Sequence, residues 1–134
     1  MLLDHVAIWT NQLEELKDFY VKYFDAKPNK KYSNADTGFE SYFLSFDSGS
    51  RLEIMNKPGI PENLNDTIGK QHQGLIHIAF DVGSMEKVLE KATDLKRGGI
   101  NIIRGPRKTG DGYFELETSD PDKNRIEVIS KFVE

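Results

Sequence analysis

Four polar residues in strand-like stretches carry the chemistry this sequence offers: His5, Glu53, His77 and Glu127. Together, two imidazoles and two carboxylates make an N2O2 ligand set whose two negative charges a divalent cation cancels. Such a set suits one first-row ion per site (Ni, Zn, Co, Mn or Fe), and four protein ligands leave room on an octahedral ion for water or substrate. A carboxylate flanked by aliphatic residues in mid-strand is costly to desolvate unless it is paired or bound to a cation. Taken singly, each residue has an ordinary explanation, a hydrogen-bonded core histidine or an ion-paired glutamate. Arg51 and Arg125 each lie two residues from a glutamate on the same face and are available as its partner. Such pairing accounts for the carboxylates and leaves the equivalent histidines unexplained.

The elements that position these residues come in two copies. Leu3-Asp4-His5-Val6-Ala7-Ile8-Trp9 lies over Leu75-Ile76-His77-Ile78-Ala79-Phe80-Asp81 at an offset of 72, with Leu, His and Ala identical. Arg51-Leu52-Glu53-Ile54-Met55 lies over Arg125-Ile126-Glu127-Val128-Ile129 at an offset of 74. Repetition of this kind marks a duplicated structural unit. After each first strand comes a helical stripe: Leu13, Leu16, Phe19, Tyr20 and Phe24 in one half, Met85, Val88, Leu89, Ala92 and Leu95 in the other, with Ser84 as N-cap and Gly98-Gly99 as the stop. Three strands then close each half: Lys31–Tyr32, Ser41–Phe46 and Arg51–Met55, then Ile100–Arg104, Tyr113–Thr118 and Arg125–Ile129. The fold class is therefore α+β, two βαβββ repeats forming curved mixed sheets. Residues 1–134 are expected to form a single domain, with modules at 1–56 and 75–134 joined by a surface linker at 57–74. Alternation along the strands puts all four polar residues on the face away from the helices. The stretch Gly105–Gly112 lacks the Walker pattern and reads as a hairpin connection, and His72, in the polar linker, reads as solvent-exposed.

Composition narrows the field further. There is no cysteine, which removes disulfides, cysteine-based zinc sites and thiolate nucleophiles. Eighteen basic against 22 acidic residues give a net charge of −4, the wrong sign for a protein that grips nucleic acid through phosphates. No apolar run is long enough for a bilayer span and the N-terminus carries no leader pattern, so no membrane partner and a cytoplasmic location are expected.

The sequence resembles the vicinal oxygen chelate superfamily, which includes glyoxalase I, fosfomycin and bleomycin resistance proteins, extradiol dioxygenases and methylmalonyl-CoA epimerase. The resemblance covers essentially the whole chain. It is carried by Asp4-His5-Val6-Ala7, Arg51-Leu52-Glu53-Ile54, Ile76-His77-Ile78-Ala79-Phe80 and Asp120-Pro121-Asp122-Lys123-Asn124-Arg125-Ile126-Glu127. The order His, Glu, His, Glu is similar to glyoxalase I, a metal-dependent lyase in which a glutamate moves a proton between two carbons of a metal-chelating hemithioacetal. The resemblance implies His5, Glu53, His77 and Glu127 as metal ligands, Glu127 also as the catalytic base, a small-molecule substrate and a homodimer whose sites draw on one chain or two. Two positions depart from the glutathione-gripping pattern: Trp9 stands where an arginine is common, and Lys57 where an asparagine is common. The thiol therefore stays open, and Trp9, Tyr42, Met55 and Phe114 are candidates for an apolar pocket wall. The alternatives are a resistance or metabolite-binding protein of the same fold, and a metal-dependent addition of thiol or water to an electrophile.

Overall fold

The computed structural model describes all 134 residues and divides into two compact units, Met1–Leu64 and Asn65–Glu134. In the first, strand β1 (His5–Trp9) leads to helix α1 (Leu13–Phe24), then to β2 (Lys27–Pro28), β3 (Tyr32–Asn34), β4 (Phe39–Ser45) and β5 (Arg51–Asn56). The sheet order is β1-β5-β4-β2, with β3 also on β4; β1 runs parallel to β5 and the other pairs are antiparallel. The apolar stripe of α1 drives this packing: Leu16 and Tyr20 are fully buried, as are Leu44 and Ile54 of the sheet. Tyr23 joins the buried face beside Phe19 and Phe24. The helix stops at Asp25, which is left-handed at φ 55°, while Ala26 N–H donates back to the Tyr20 carbonyl.

The second unit repeats the plan with β6 (His77–Asp81), α2 (Met85–Arg97), β7 (Ile102–Lys108), β8 (Tyr113–Ser119) and β9 (Arg125–Lys131), in sheet order β6-β9-β8-β7. Ser84 Oγ caps α2 by accepting the Lys87 N–H at 3.2 Å. Val88, Ala92 and Leu95 meet Leu116, Ile126 and Val128 in the core. Leu89, expected in that stripe, is 52% exposed, because it lies one helical step around from Val88 and misses the sheet. Before β9, the Asp120 carboxylate accepts the backbone N–H groups of Asp122 and Asn124 and the side-chain amide of Asn124, closing the turn that sets the strand's start.

Two expectations about the connecting segments are corrected. The stretch after Gly105 is not a hairpin connection throughout: β7 continues to Lys108 and the turn lies beyond it, because an irregularity in the β7–β8 register absorbs the glycine and proline. His72 is half-buried rather than solvent-exposed. The stretch before it is tied to β9, with Thr67 hydroxyl donating to the Lys123 carbonyl and Arg125 donating to the carbonyls of Thr67, Ile68 and Lys70.

On the helix side of the first sheet, Tyr42 hydroxyl donates to Glu14 of α1, and Lys31 bridges Glu14 at 2.9 Å and Glu40 at 2.7 Å. Tyr42 therefore cannot line a pocket on the opposite face. The Lys31 ammonium beside Glu14 holds its carboxyl down at about 2. A depressed carboxylate stabilises the fold above its unfolded value, 4.5, and that contribution is lost as pH falls toward 2. Glu14→Gln is accordingly expected to cost under about 1 kcal/mol at pH 7, given the exposure of this network, and nothing near pH 2. Urea unfolding at both pH values checks this; a constant difference would mean that charge is not the cause.

Candidate metal centre

The structure brings the expected residues together in pairs, one in each module. In the first, His5 Nε2 lies 3.8 Å from Glu53 Oε1. In the second, His77 Nε2 lies 3.3 Å from Glu127 Oε2. The registers match: His5 is opposite Arg51 and Ala7 opposite Glu53, as His77 is opposite Arg125 and Ala79 opposite Glu127. The repeated alanines now have a reason. Standing directly across from each glutamate, they present only a methyl group, and the imidazole two residues along the strand reaches the carboxylate on the diagonal. In each sheet Leu52 and Ile54, or Ile126 and Val128, turn to the helix, which sends the glutamate to the other face. In neither module does a third His, Asp or Glu join the pair to make a cluster able to hold a metal.

The arginines on this face are not the glutamates' partners. Arg51 donates to Asp4 at 2.5 Å and stacks over Phe43, 4.3 Å from its centroid, while Arg125 is buried among backbone carbonyls. Asp4 in turn binds His5 Nδ1 at 2.6 Å, which leaves Nε2 pointing to Glu53. Phe43 packs edge-on against the His5 ring. Orientation of a ligand histidine through its second nitrogen is the usual arrangement at metal sites. His77 is preceded by Ile76 and has no such carboxylate. Asp4→Ala is therefore expected to weaken divalent-metal binding about 10- to 100-fold with no change in thermal midpoint of the metal-free protein; calorimetric titration with Mn measures it, and unchanged affinity would show that the Asp4 contact does not orient the ligand.

Glu127 sits with its side chain 16% exposed. Burial pushes its carboxyl above the usual carboxylate range, Glu115 and Glu117 add to the rise, and His77 and Arg107 oppose it. Glu115 and Glu117 did not stand out from the sequence, yet both are buried on this face, Glu117 directly opposite Glu127. Their alternation with Leu116 was the available signal. Arg107 donates to Glu115 at 3.0 Å, and Arg104 Nε lies 3.3 Å from Glu117.

Of the proposed pocket residues, Trp9 is 43% exposed on the His5 face, edge-on to Phe39 at 6.0 Å, with Met55 opposite it. Phe114 is on the other side of its sheet, since it shares parity with Leu116 rather than with Glu115.

Comparison with known proteins agrees with this architecture. The chain is 27% identical over 131 residues, 96% of each chain, to the Bacillus subtilis (strain 168) protein called "Uncharacterized protein YwkD". The trypanothione-dependent glyoxalase I of Leishmania major has the same fold, with a TM-score of 0.76 at 22% identity, covering 97% of this chain and 86% of that one. So does a variant of the fosfomycin resistance protein FosX from Listeria monocytogenes complexed with Mn(II) and a dihydroxypropylphosphonic acid, with a TM-score of 0.70 at 20% identity over 98% and 93% of the two chains. The family model for the Glyoxalase/Bleomycin resistance protein/Dioxygenase superfamily matches residues 2–128, and the chain, with its paired modules and repeated His–Glu pairs, belongs to that superfamily.

Proposed function

We propose that this protein is a glyoxalase I-like metal-dependent lyase or isomerase acting on a small substrate that chelates through two neighbouring oxygens. The observation that carries this reading is the repetition of one His–Glu pair, in one register, on the helix-free face of both sheets. The donor chemistry fits a divalent ion: in both pairs an imidazole Nε2 stands near a carboxylate oxygen, close to the ~3 Å that separates adjacent ligands about 2.1 Å from one ion. His5, Glu53, His77 and Glu127 would hold it, one pair from each module, in one chain or across a homodimer. When bound, the ion supplies Lewis-acid stabilisation of negative charge on substrate oxygens.

The rest of the work falls to the chain. Glu127 takes the proton from the substrate carbon and returns it to the neighbouring one. Its partial burial raises its basicity above that of an exposed glutamate. Asp4 and Phe43 hold the His5 ring.

Metal titration tests the site: one Mn or Ni per chain is expected, with tight binding lost in both His5→Ala and His77→Ala. Two ions per chain, or one retained by either variant, would mean that the pairs do not share an ion. Assay of methylglyoxal with several thiols tests the chemistry. A metal-loaded protein that turns over none of these mixtures would sink the lyase reading.

A further inference from the structure

On the helix-free face of the first sheet, strand register orders the side chains into rows. One row is Ala7, Glu53 and Phe43; the next, two residues further along the sheet, is Trp9, Met55, Ser41 and Tyr32. Rows two residues apart are separated by about 7 Å, so the second begins close beside Glu53. It is the aromatic end of the face. Trp9 and Phe39 stand on β1 and β4, which β5 separates, yet their rings reach across β5 to meet edge-on, with centroids 6.0 Å apart and planes at 89°. Phe39 in turn meets Tyr32 at 6.0 Å and 56°. Three rings from three strands form one connected shelf.

Packing within the module does not account for this shelf. The core lies on the other face, where Leu16, Tyr20, Leu44 and Ile54 are fully buried. The rings instead keep much of their surface in water: Trp9 is 43% and Tyr32 55% exposed. Single exposed apolar residues are ordinary, but adjoining ones mark a surface that binds something. Contact between the rings fixes them beforehand, so little freedom is lost when a ligand lands on them. Charge then indicates the kind of ligand. The row of Trp9 and the row beyond it, Phe39 and Asn34, hold no charged side chain, whereas the row on the other side of Glu53 holds His5 and Arg51, with Asp4 bound to both. The face therefore grades from ionic to neutral across the carboxylate. A charged arm would lose water at the neutral end and find no partner there, while a flat apolar group gains ring contacts without that cost.

We infer that Trp9, Phe39 and Tyr32 receive an aromatic group of the substrate, attached within a few bonds of its chelating oxygens. This rests on the proposed metal site and narrows its substrate class. The test compares three hydroxamates that share a chelating head: acetohydroxamate with no arm, 3-phenylpropionohydroxamate with an uncharged aryl arm and succinomonohydroxamate with an anionic one. Calorimetry on the Mn-loaded protein should show the aryl ligand binding about 10-fold or more tighter than the other two, the scale of a buried aromatic contact. Trp9 is the single tryptophan, so the aryl ligand alone should shift the protein's emission. The aryl advantage should shrink to about threefold or less in Trp9→Ala and fall in Tyr32→Ala, both exposed positions outside the core, while acetohydroxamate affinity stays within about twofold. Equal affinities in the parent protein, an equal gain from the anionic arm, or an aryl advantage undiminished in both variants would overturn the inference and leave the metal site standing. So would the absence of an aryl advantage together with a smaller sedimenting species for Trp9→Ala, which would make the shelf a contact between copies of the chain. Failure of all three ligands to bind the Mn-loaded protein would overturn both.

Discussion

Glu127→Gln is expected to lower turnover by about 10²- to 10⁴-fold, the usual contribution of a positioned general base, while the protein stays folded and keeps most of its metal. The amide retains an oxygen for coordination and nearly the same volume, but it cannot accept the substrate proton. Position supports the assignment more than residue type does. Glu53 occupies the equivalent place in the first module, but Phe43 is its β4 neighbour, whereas Glu127 has Glu117 in the matching place on β8. Burial, with two further carboxylates nearby, raises the proton affinity of Glu127, the direction a general base needs. Measured kcat/KM, metal content and thermal midpoint separate the outcomes: activity above about a tenth of the parent value would remove Glu127 from the base role.

The second large effect is structural. Gly105→Ala is expected to destabilise the protein by at least about 2 kcal/mol, combining a left-handed backbone cost of 1–2 kcal/mol with a clash that only backbone movement relieves. The clash is with the Glu115 carbonyl at 2.5 Å and the Leu116 Cα at 3.1 Å, neither of which can rotate away as a side chain would. Gly83 is the control, since its φ is 89° but nothing lies within 4 Å of a Cβ there, so Gly83→Ala carries the backbone cost alone. Chemical denaturation of both variants gives the comparison. Equal destabilisation would mean that the ladder at Gly105 has room to relax, and that the bulge is not as tightly fixed as the geometry indicates.

Much of the site was legible before any coordinates, because duplication and alternation are properties of the chain. His5, Glu53, His77 and Glu127 recur in register among aliphatic residues, and strand parity alone sends them to the helix-free face, where the structure has them. Other features were not legible, for identifiable reasons. Tyr42 reads as a pocket aromatic until its hydroxyl is seen on Glu14 of α1, a contact spanning 28 residues. Arg51 and Arg125 occupy equivalent repeat positions yet have different partners, because one module places Asp4 beside its arginine and the other places a run of carbonyls there. Arg104 and Arg107 cannot be put on one face by counting residues, since the bulge that aligns them breaks the period on which such counting depends.

By itself the sequence determined the doubled βαβββ plan, the face that carries the polar residues and the two His–Glu pairs, since period-2 and period-3.6 patterns express which side of each element avoids water. Only the tertiary structure decided which charges meet: the Asp4 contact with Arg51, the carbonyl cage around Arg125 and the guanidinium–glutamate ladder beside Glu127. Partners of that kind are chosen by strand register and local irregularity, which are set by packing across the sheet and are not written in the spacing of residues along one strand.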